Sequence, residues 1–250
     1  MITIKSAKEI AKMQKAGEIV ALAHNAVSKA ICAGISTEEL DSIAHDVIVS
    51  KGATPSFLGY GGFPKSICAS INNVVIHGIP SKDIALKEGD IISIDIGAYY
   101  DGYHGDSAAT YGVGEITDTA KLLIETAKKA FYAGVENARQ GQRMGDVSAA
   151  IQQYVEKKGF SIVRDFVGHG IGKALHEQPE VPNFGTAGTG HRLYPGMTIA
   201  VEPMINAGGW EVKVEKDGWT VVTIDGSLSA HYEHSIAVTH GEPLLLTVER

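Results

Sequence analysis

Two cysteines in 250 residues, Cys32 and Cys68, are too few for a disulfide scaffold, and they sit in dissimilar settings with no paired spacing. A reduced, cytoplasmic protein is the expectation. Basic excess is also missing: 22 Lys and Arg face 29 Asp and Glu, a formal net charge of −7. Nucleic acid is therefore excluded as a main partner, since phosphate binding needs clustered cations. No apolar run approaches the ~20 residues that span a bilayer, so no membrane association is expected. The opening MITIKSAKEIAKMQKAGEIV reads as a mixed-charge amphipathic helix without the apolar core of a secretory signal. Low-complexity segments and charged tails are absent as well.

Periodic structure fills the space. Ser6-x-x-Glu9 and Ser36-x-x-Glu39 read as capping boxes, each ahead of an apolar stripe at helical spacing. The second stripe is Leu40, Ile43, Ala44, Val47 and Ile48, with Gly52 behind it. After Gly114 the pattern restarts, with a helix expected from about Thr119 to Arg139 and a shorter one carrying Val147, Ala150, Ile151, Tyr154 and Val155. Adding 107 to the first five positions gives the second five, and Gly34 and Gly52 map onto Gly141 and Gly159 by the same shift. A helix-helix-sheet unit thus occurs twice. Strands are expected at Met197–Ile205, Trp210–Val214, Trp219–Ile224 and Ser229–Thr239. Helices grouped ahead of strands in each half give an α+β, mainly antiparallel class. One domain over residues 1–250 is expected, with halves of about 1–112 and 113–250.

The stretch IISIDIGAYYDGYHGDSAATY, Ile91 to Tyr111, places Asp95 and Asp106 in two apolar runs either side of a turn signal. A turn centred between Tyr100 and Asp101 would set the two aspartates opposite each other. Such a pair requires a shared proton or a cation. Four other segments strain a purely structural reading: His77 ends the run NVVIH, His169 stands between glycines with His176 seven residues on, Glu202 closes IAVE, and Glu233 lies in SAHYEHSIAV. Each alone has a plain explanation: a hydrogen-bonded core histidine, a turn, an edge strand or a solvated face. Together, four carboxylates and an imidazole in strand or glycine-rich settings are hard to bury without a compensating cation. An oxygen-rich set with one imidazole suits Mn, Fe or Co better than a tetrahedral zinc site. Five ligands suit two ions better than one. Glu177 and Asp101 lie in polar turns and read as surface residues.

The ordered set His77, Asp95, Asp106, His169, His176, Glu202 and Glu233 resembles that of the bacterial type I methionine aminopeptidases of peptidase family M24. The surrounding words SICASINNVVIHGIP, VGHGIGKALHEQP, GMTIAVEP and DGWTVVTIDGSLSAHYEHSIAVT extend the likeness over nearly the whole chain. Glu202 and Glu233 lie 31 residues apart, which leaves no room for the insertion of type II members. The resemblance implies a pseudo-symmetric pita-bread fold and removal of an N-terminal methionine ahead of a small second residue. It implies two divalent ions (Co, Mn, Fe or Zn), with Asp106 and Glu233 shared by both, Asp95 on one, and His169 and Glu202 on the other. Glu202 would also be the general base, His176 would donate to the scissile carbonyl oxygen, and His77 would position the peptide. Tyr60, Phe63, Cys68 and Trp219 would line the methionine pocket, with Phe57 and Leu175 near its rim. Gly61 and Leu175 replace bulkier residues common in relatives, which leaves the tightness of the pocket open. Nascent chain N-termini as substrate, transient ribosome contact and a monomeric state also follow from the resemblance. Two competing readings stay in view: a proline-selective peptidase of the same fold, and a metal-free peptide-binding module.

Overall fold

The computed structural model describes residues 2–250. Helix α1, Ala7–Ala30, starts at Ser6, whose hydroxyl accepts from the Glu9 N–H while the Glu9 carboxylate accepts from the Ser6 N–H. Helix α2, Thr37–Ser50, repeats that capping box with Ser36 and Glu39. Thr117 caps α3, Asp118–Val135, and the Asp146 carboxylate accepts from the Arg143 N–H to start α4, Met144–Lys157. Both α2 and α4 have 14 residues, and their first residues differ by the 107 positions of the internal echo. The flanking glycines share left-handed backbones, φ 96° and 90° at Gly34 and Gly141, 75° and 83° at Gly52 and Gly159. Helix α3 stops four residues short of the expected Arg139. The Asn137 amide takes the Ala133 carbonyl and the Ala138 N–H turns back to Val135, which closes the last turn early. Among the described residues, no helix is long and apolar enough to cross a membrane.

All strand pairs are antiparallel. In the first half, strand Ile91–Tyr100 pairs with Tyr103–Gly112 on one side and with Ile67–Ile71 and Thr54–Pro55 on the other. In the second, Gly168–Gly170 lies between Glu177–Val181 and Thr198–Val201, and the sheet continues through His234–Ala237 to Leu244–Leu245. Ile92, Ile94, Ile96 and Ala98 share one apolar cluster with Val20 and Val27 of α1 and Leu40 and Ile48 of α2. Strand alternation sends Ser93, Asp95 and Gly97 to the opposite face. The second half repeats the scheme, since Ile199 and Val201 pack with Leu123 and Phe131 of α3 and Ile151 of α4. Each sheet therefore lays its apolar face on its helices, and the polar positions of both halves are left to face a common interior.

The hairpin register differs from the expected one. Asp101 and Gly102 form the two-residue loop, both at positive φ (47° and 85°), and Tyr100 pairs with Tyr103. That geometry matches the twist of a hairpin, and Asp-Gly favours it. The centre consequently falls one residue later than expected. Asp95 pairs with Ala108 and Asp106 with Gly97, so the two aspartates are diagonal neighbours on one face. The long strands expected at the C-terminal end are also broken. Met197–Ile205 resolves into Thr198–Val201 and Met204–Asn206, and Ser229–Thr239 into Ser229–His231 and His234–Ala237. Glu202 and Glu233 occupy the two breaks. Trp210–Val214 and Trp219–Ile224 shorten to Val212–Val214 and Val221–Thr223 around the Asp217-Gly218 turn.

The halves meet closely. A Cβ on Gly105 would stand 2.8 Å from the Gly17 nitrogen, and one on Gly17 would stand 2.1 Å from the Leu246 carbonyl oxygen. These side-chain-free contacts let the hairpin, α1 and the C-terminal strand stack directly beside Asp106. Across the seam, Ala108 and Glu233 exchange backbone hydrogen bonds of 3.3 and 2.8 Å. The Ser235 hydroxyl accepts from the Asp106 N–H and donates to its carbonyl, at 3.0 and 2.9 Å.

Candidate metal centre and adjoining pocket

The thirteen side chains singled out in the sequence line one cavity of about 140 Å³. Its floor is polar. Asp106, His169 and Glu233 are 4, 8 and 2 % exposed, and the three present donor atoms mutually within 4.8 Å. The His169 Nε2 lies 3.6 Å from a Glu202 oxygen and 3.9 Å from an Asp106 oxygen. Its Nδ1 is 2.9 Å from the Gly170 carbonyl, which can only accept, so Nδ1 carries the proton and Nε2 turns its lone pair inward.

The electrostatics call for a cation. Burial pushes the Asp95 carboxyl up to about 7, and Asp106, Glu202 and Glu233 go well above the ordinary carboxylate range. Desolvation is the leading cause in all four, and neighbouring carboxylates add to it for Asp106, Glu202 and Glu233. Burial also pulls His169 down to about 3, which keeps its imidazole neutral and ready to coordinate. One oxygen each of Asp95, Asp106 and Glu233 is buried without any hydrogen-bond partner. Native interiors rarely tolerate orphaned acceptors of this kind. Crowded, unsatisfied oxygens beside a neutral imidazole are the donor set of a divalent ion, and the residues present fit one.

The cavity's other wall is apolar. Phe63 meets Trp219 edge-to-face with ring centroids 5.2 Å apart, and Phe57, Cys68 and Leu175 are buried beside them. Leu175, expected near the rim, is only 2 % exposed. Gly61 holds a left-handed backbone (φ 57°), and a Cβ there would stand 3.2 Å from the Trp219 ring, so this glycine leaves the indole its space. His77 also adopts positive φ (59°), a strained choice for a non-glycine residue, and its ring meets Trp219 edge-on at 6.3 Å. His176 stands at the rim, its ring 4.1 Å from that of His169 and its Nδ1 2.8 Å from the Tyr60 hydroxyl.

Two residues have surroundings the sequence reading missed. Glu177 is no plain surface residue: its carboxylate meets the buried Lys5 ammonium at 2.5 Å and accepts from the Lys173 and Ala174 N–H groups. A carboxylate that captures two loop N–H groups and a lysine from the N-terminal segment pins the loop before His176. Its turn-like sequence context gave no sign of the lysine 172 positions away. Asp101 is exposed as expected, in an ion pair with Lys12. The second is His231, 2 % exposed, whose Nε2 lies 3.8 Å from Glu202 and 3.7 Å from Glu233. The alternation of S-A-H-Y-E, placing His231 two residues before Glu233, was the available signal.

Paired α+β halves with a carboxylate-rich, metal-type cage at their seam define a metal-dependent hydrolase as the class. The chain belongs to metallopeptidase family M24, whose model matches residues 11–240. It is 52 % identical to methionine aminopeptidase of Clostridium acetobutylicum over 99 % of both chains. It is 53 % identical to methionine aminopeptidase 1 of Bacillus subtilis over 96 % of both. The crystal structure of methionine aminopeptidase from Thermotoga maritima superposes with a TM-score of 0.98 at 45 % identity, covering both chains completely. The pita-bread architecture expected from the resemblance is thus the fold of this chain.

Proposed function

We propose that this chain is a methionyl aminopeptidase that removes the N-terminal methionine of peptides and nascent proteins whose second residue is small. The observation that carries the reading is the opening of a buried carboxylate-imidazole cage directly into an aromatic pocket. Full-length likeness to proteins named methionine aminopeptidase supports it over the proline-selective alternative. The intact set of five candidate metal ligands argues against a metal-free binding module.

In this reading Asp106 and Glu233 would serve both of two divalent ions, Asp95 would help to hold one of them, and His169 and Glu202 the other. Such ions would supply positive charge that lowers the pKa of water and polarises the scissile carbonyl. The oxygen-rich donor set favours Mn, Fe or Co. Phe63, Cys68, Trp219, Phe57 and Leu175 hold the methionine side chain, because aromatic and sulfur contacts suit a polarizable thioether. Glu202 takes the proton from the attacking water and passes it to the leaving amine. His77, held at its strained backbone position, orients the peptide beyond the scissile bond. The enzyme acts as a cytoplasmic monomer in transient contact with the ribosome, where nascent N-termini emerge.

His176 donates to the carbonyl oxygen, and Tyr60 sets the tautomer that allows it. With the Tyr60 hydroxyl donating to Nδ1, Nε2 carries the proton that stabilises the developing oxyanion. Tyr60→Phe keeps an aromatic face for methionine and removes this donor. Its kcat is expected to fall on the order of tenfold with KM little changed, a fraction of the cost of losing an oxyanion donor outright. A rise in KM alone would return Tyr60 to pocket lining.

Metal-stripped protein reloaded with Co or Mn is expected to release methionine from Met-Ala-Ser and to leave Xaa-Pro peptides intact. Cleavage of Xaa-Pro peptides without cleavage of Met-Ala-Ser would overturn the substrate assignment.

A further inference from the structure

His176 ends an irregular segment, residues 171–176, between the strands Gly168–Gly170 and Glu177–Val181, and it is exposed. Its side-chain hydrogen bond goes to Tyr60, which is itself 44 % exposed. Packing around the ring therefore does little to fix this imidazole. The segment that carries it has to be held instead.

What holds it comes from the far end of the chain. Glu177, the next residue, uses one carboxylate oxygen on the segment and the other on the N-terminus. Its Oε1 accepts from the Lys173 and Ala174 N–H groups at 2.9 and 3.3 Å. Its Oε2 accepts from the Thr3 hydroxyl at 2.6 Å and from the Lys5 ammonium at 2.5 Å, and Lys5 also donates to Thr3. Lys5 is firmly seated: its N–H donates to the Gly196 carbonyl at 2.8 Å, and its side chain is only 5 % exposed. A Cβ on Gly172 would stand 2.5 Å from the Lys5 Cε, so the lysine stem lies directly against the segment. From the hairpin, the His104 N–H donates to the Gly172 carbonyl at 2.9 Å. Burial pushes the Glu177 carboxyl up, but hydrogen bonds from Lys5 and Thr3 outweigh it and keep the group below its ordinary range. The acid is thus ionised and fully engaged. A buried ion pair adds little stability over apolar side chains of the same shape. This one fixes geometry, because Glu177 cannot shift toward either set of donors without losing the other.

We propose that Lys5 and Thr3 are positioning residues for His176, acting through Glu177 to hold the segment that presents the carbonyl-donating imidazole. The proposal rests on the role given to His176 above and extends the active site to the N-terminal strap, residues 3–5. A donor aimed at a developing oxyanion tolerates little displacement, and a shift of about 1 Å can cost up to ~10²-fold in rate.

The test uses full-length protein loaded with Co or Mn and a Met-Ala-Ser substrate. Lys5→Met keeps the stem and removes the ammonium. Its kcat is expected to fall about 10-fold while KM stays within about twofold. In a His176→Ala background, which by itself should cost about 10²–10³-fold, Lys5→Met should cost nothing further. Equal losses in both backgrounds, or an unchanged kcat with a lower melting temperature, would overturn the proposal and make the pair merely structural. Thr3→Val is exposed and so keeps the fold; a kcat loss of about threefold is expected from it, again absent beside His176→Ala. A second readout needs no turnover: the ¹⁵N resonances of the His176 ring, in metal-free protein labelled at histidine, should move in Lys5→Met and Thr3→Val. Should His176→Ala retain full kcat, the carbonyl-donor reading fails, and these resonances alone decide the clamp. Moved resonances support it, and unmoved ones overturn it.

Discussion

Glu202→Gln is expected to fold normally, to melt no lower than the parent when both are metal-free, and to lose at least ~10²-fold in turnover, the usual scale for a general base. The exchange keeps the side chain's length and its place in the break between Thr198–Val201 and Met204–Asn206. The Glu202 backbone is held from outside the cavity, where the Asn183 amide donates to its carbonyl at 3.0 Å. Burial, with Asp95 and Asp106 nearby, already drives Glu202 toward its neutral form. A neutral amide therefore relieves repulsion in the metal-free protein rather than adding strain. What it removes is the proton acceptor and one charged ligand, and these two losses are separable. Activity that returns in full under excess Mn²⁺ would make Glu202 a ligand only. Activity that stays down at full occupancy, verified by metal analysis of the same sample, would leave proton transfer as the missing step.

How far the sequence could be read depended on what each feature couples to. Capping boxes and helical stripes are local, so Ser6, Ser36 and the 107-residue echo translated directly into α1, α2 and α4. The acids were legible because a carboxylate inside an apolar run is costly wherever it sits. Asp95, Asp106, Glu202 and Glu233 accordingly meet in one cavity. The pocket aromatics were not legible by periodicity, and only the resemblance singled out Phe63 or Trp219. Register failed by one residue, since Tyr-Tyr-Asp-Gly offers two places for a tight turn and only the left-handed backbones of Asp101 and Gly102 choose between them. The strand breaks at Glu202 and Glu233 were hidden for a related reason: a break looks like a strand until its partner's register is known. Long-range pairs such as Lys5 with Glu177 leave no trace in either segment's pattern. His231 was overlooked because the neighbouring Glu233 absorbed the chemistry of its segment.

Removing the ions is expected to lower the melting temperature, and by more at pH 8 than at pH 5.5. In the metal-free protein Asp95 holds its proton to about pH 7, and Asp106, Glu202 and Glu233 hold theirs above the ordinary range. The unfolded chain releases the same protons near pH 4. Between those limits the folded state binds more protons than the unfolded one, so metal-free stability falls as pH rises through the window. A bound cation replaces those protons, and it competes with fewer of them at high pH. Buried neutral histidines work in the opposite sense: His24, His77 and His104, each drawn down to about 4, cost stability as pH falls below about 6.5. That cost is common to the loaded and stripped forms and cancels in their difference. At 100 times the dissociation constant a bound ion contributes about 2.7 kcal/mol. For a chain of this size that is a difference of about 5–10 °C in melting temperature. Thermal melts of Mn-loaded and chelator-treated protein, run in parallel from pH 5.5 to 8, check the slope directly. A gap that widens toward acid would mean that these four carboxylates do not hold the ion, whatever else in the chain does.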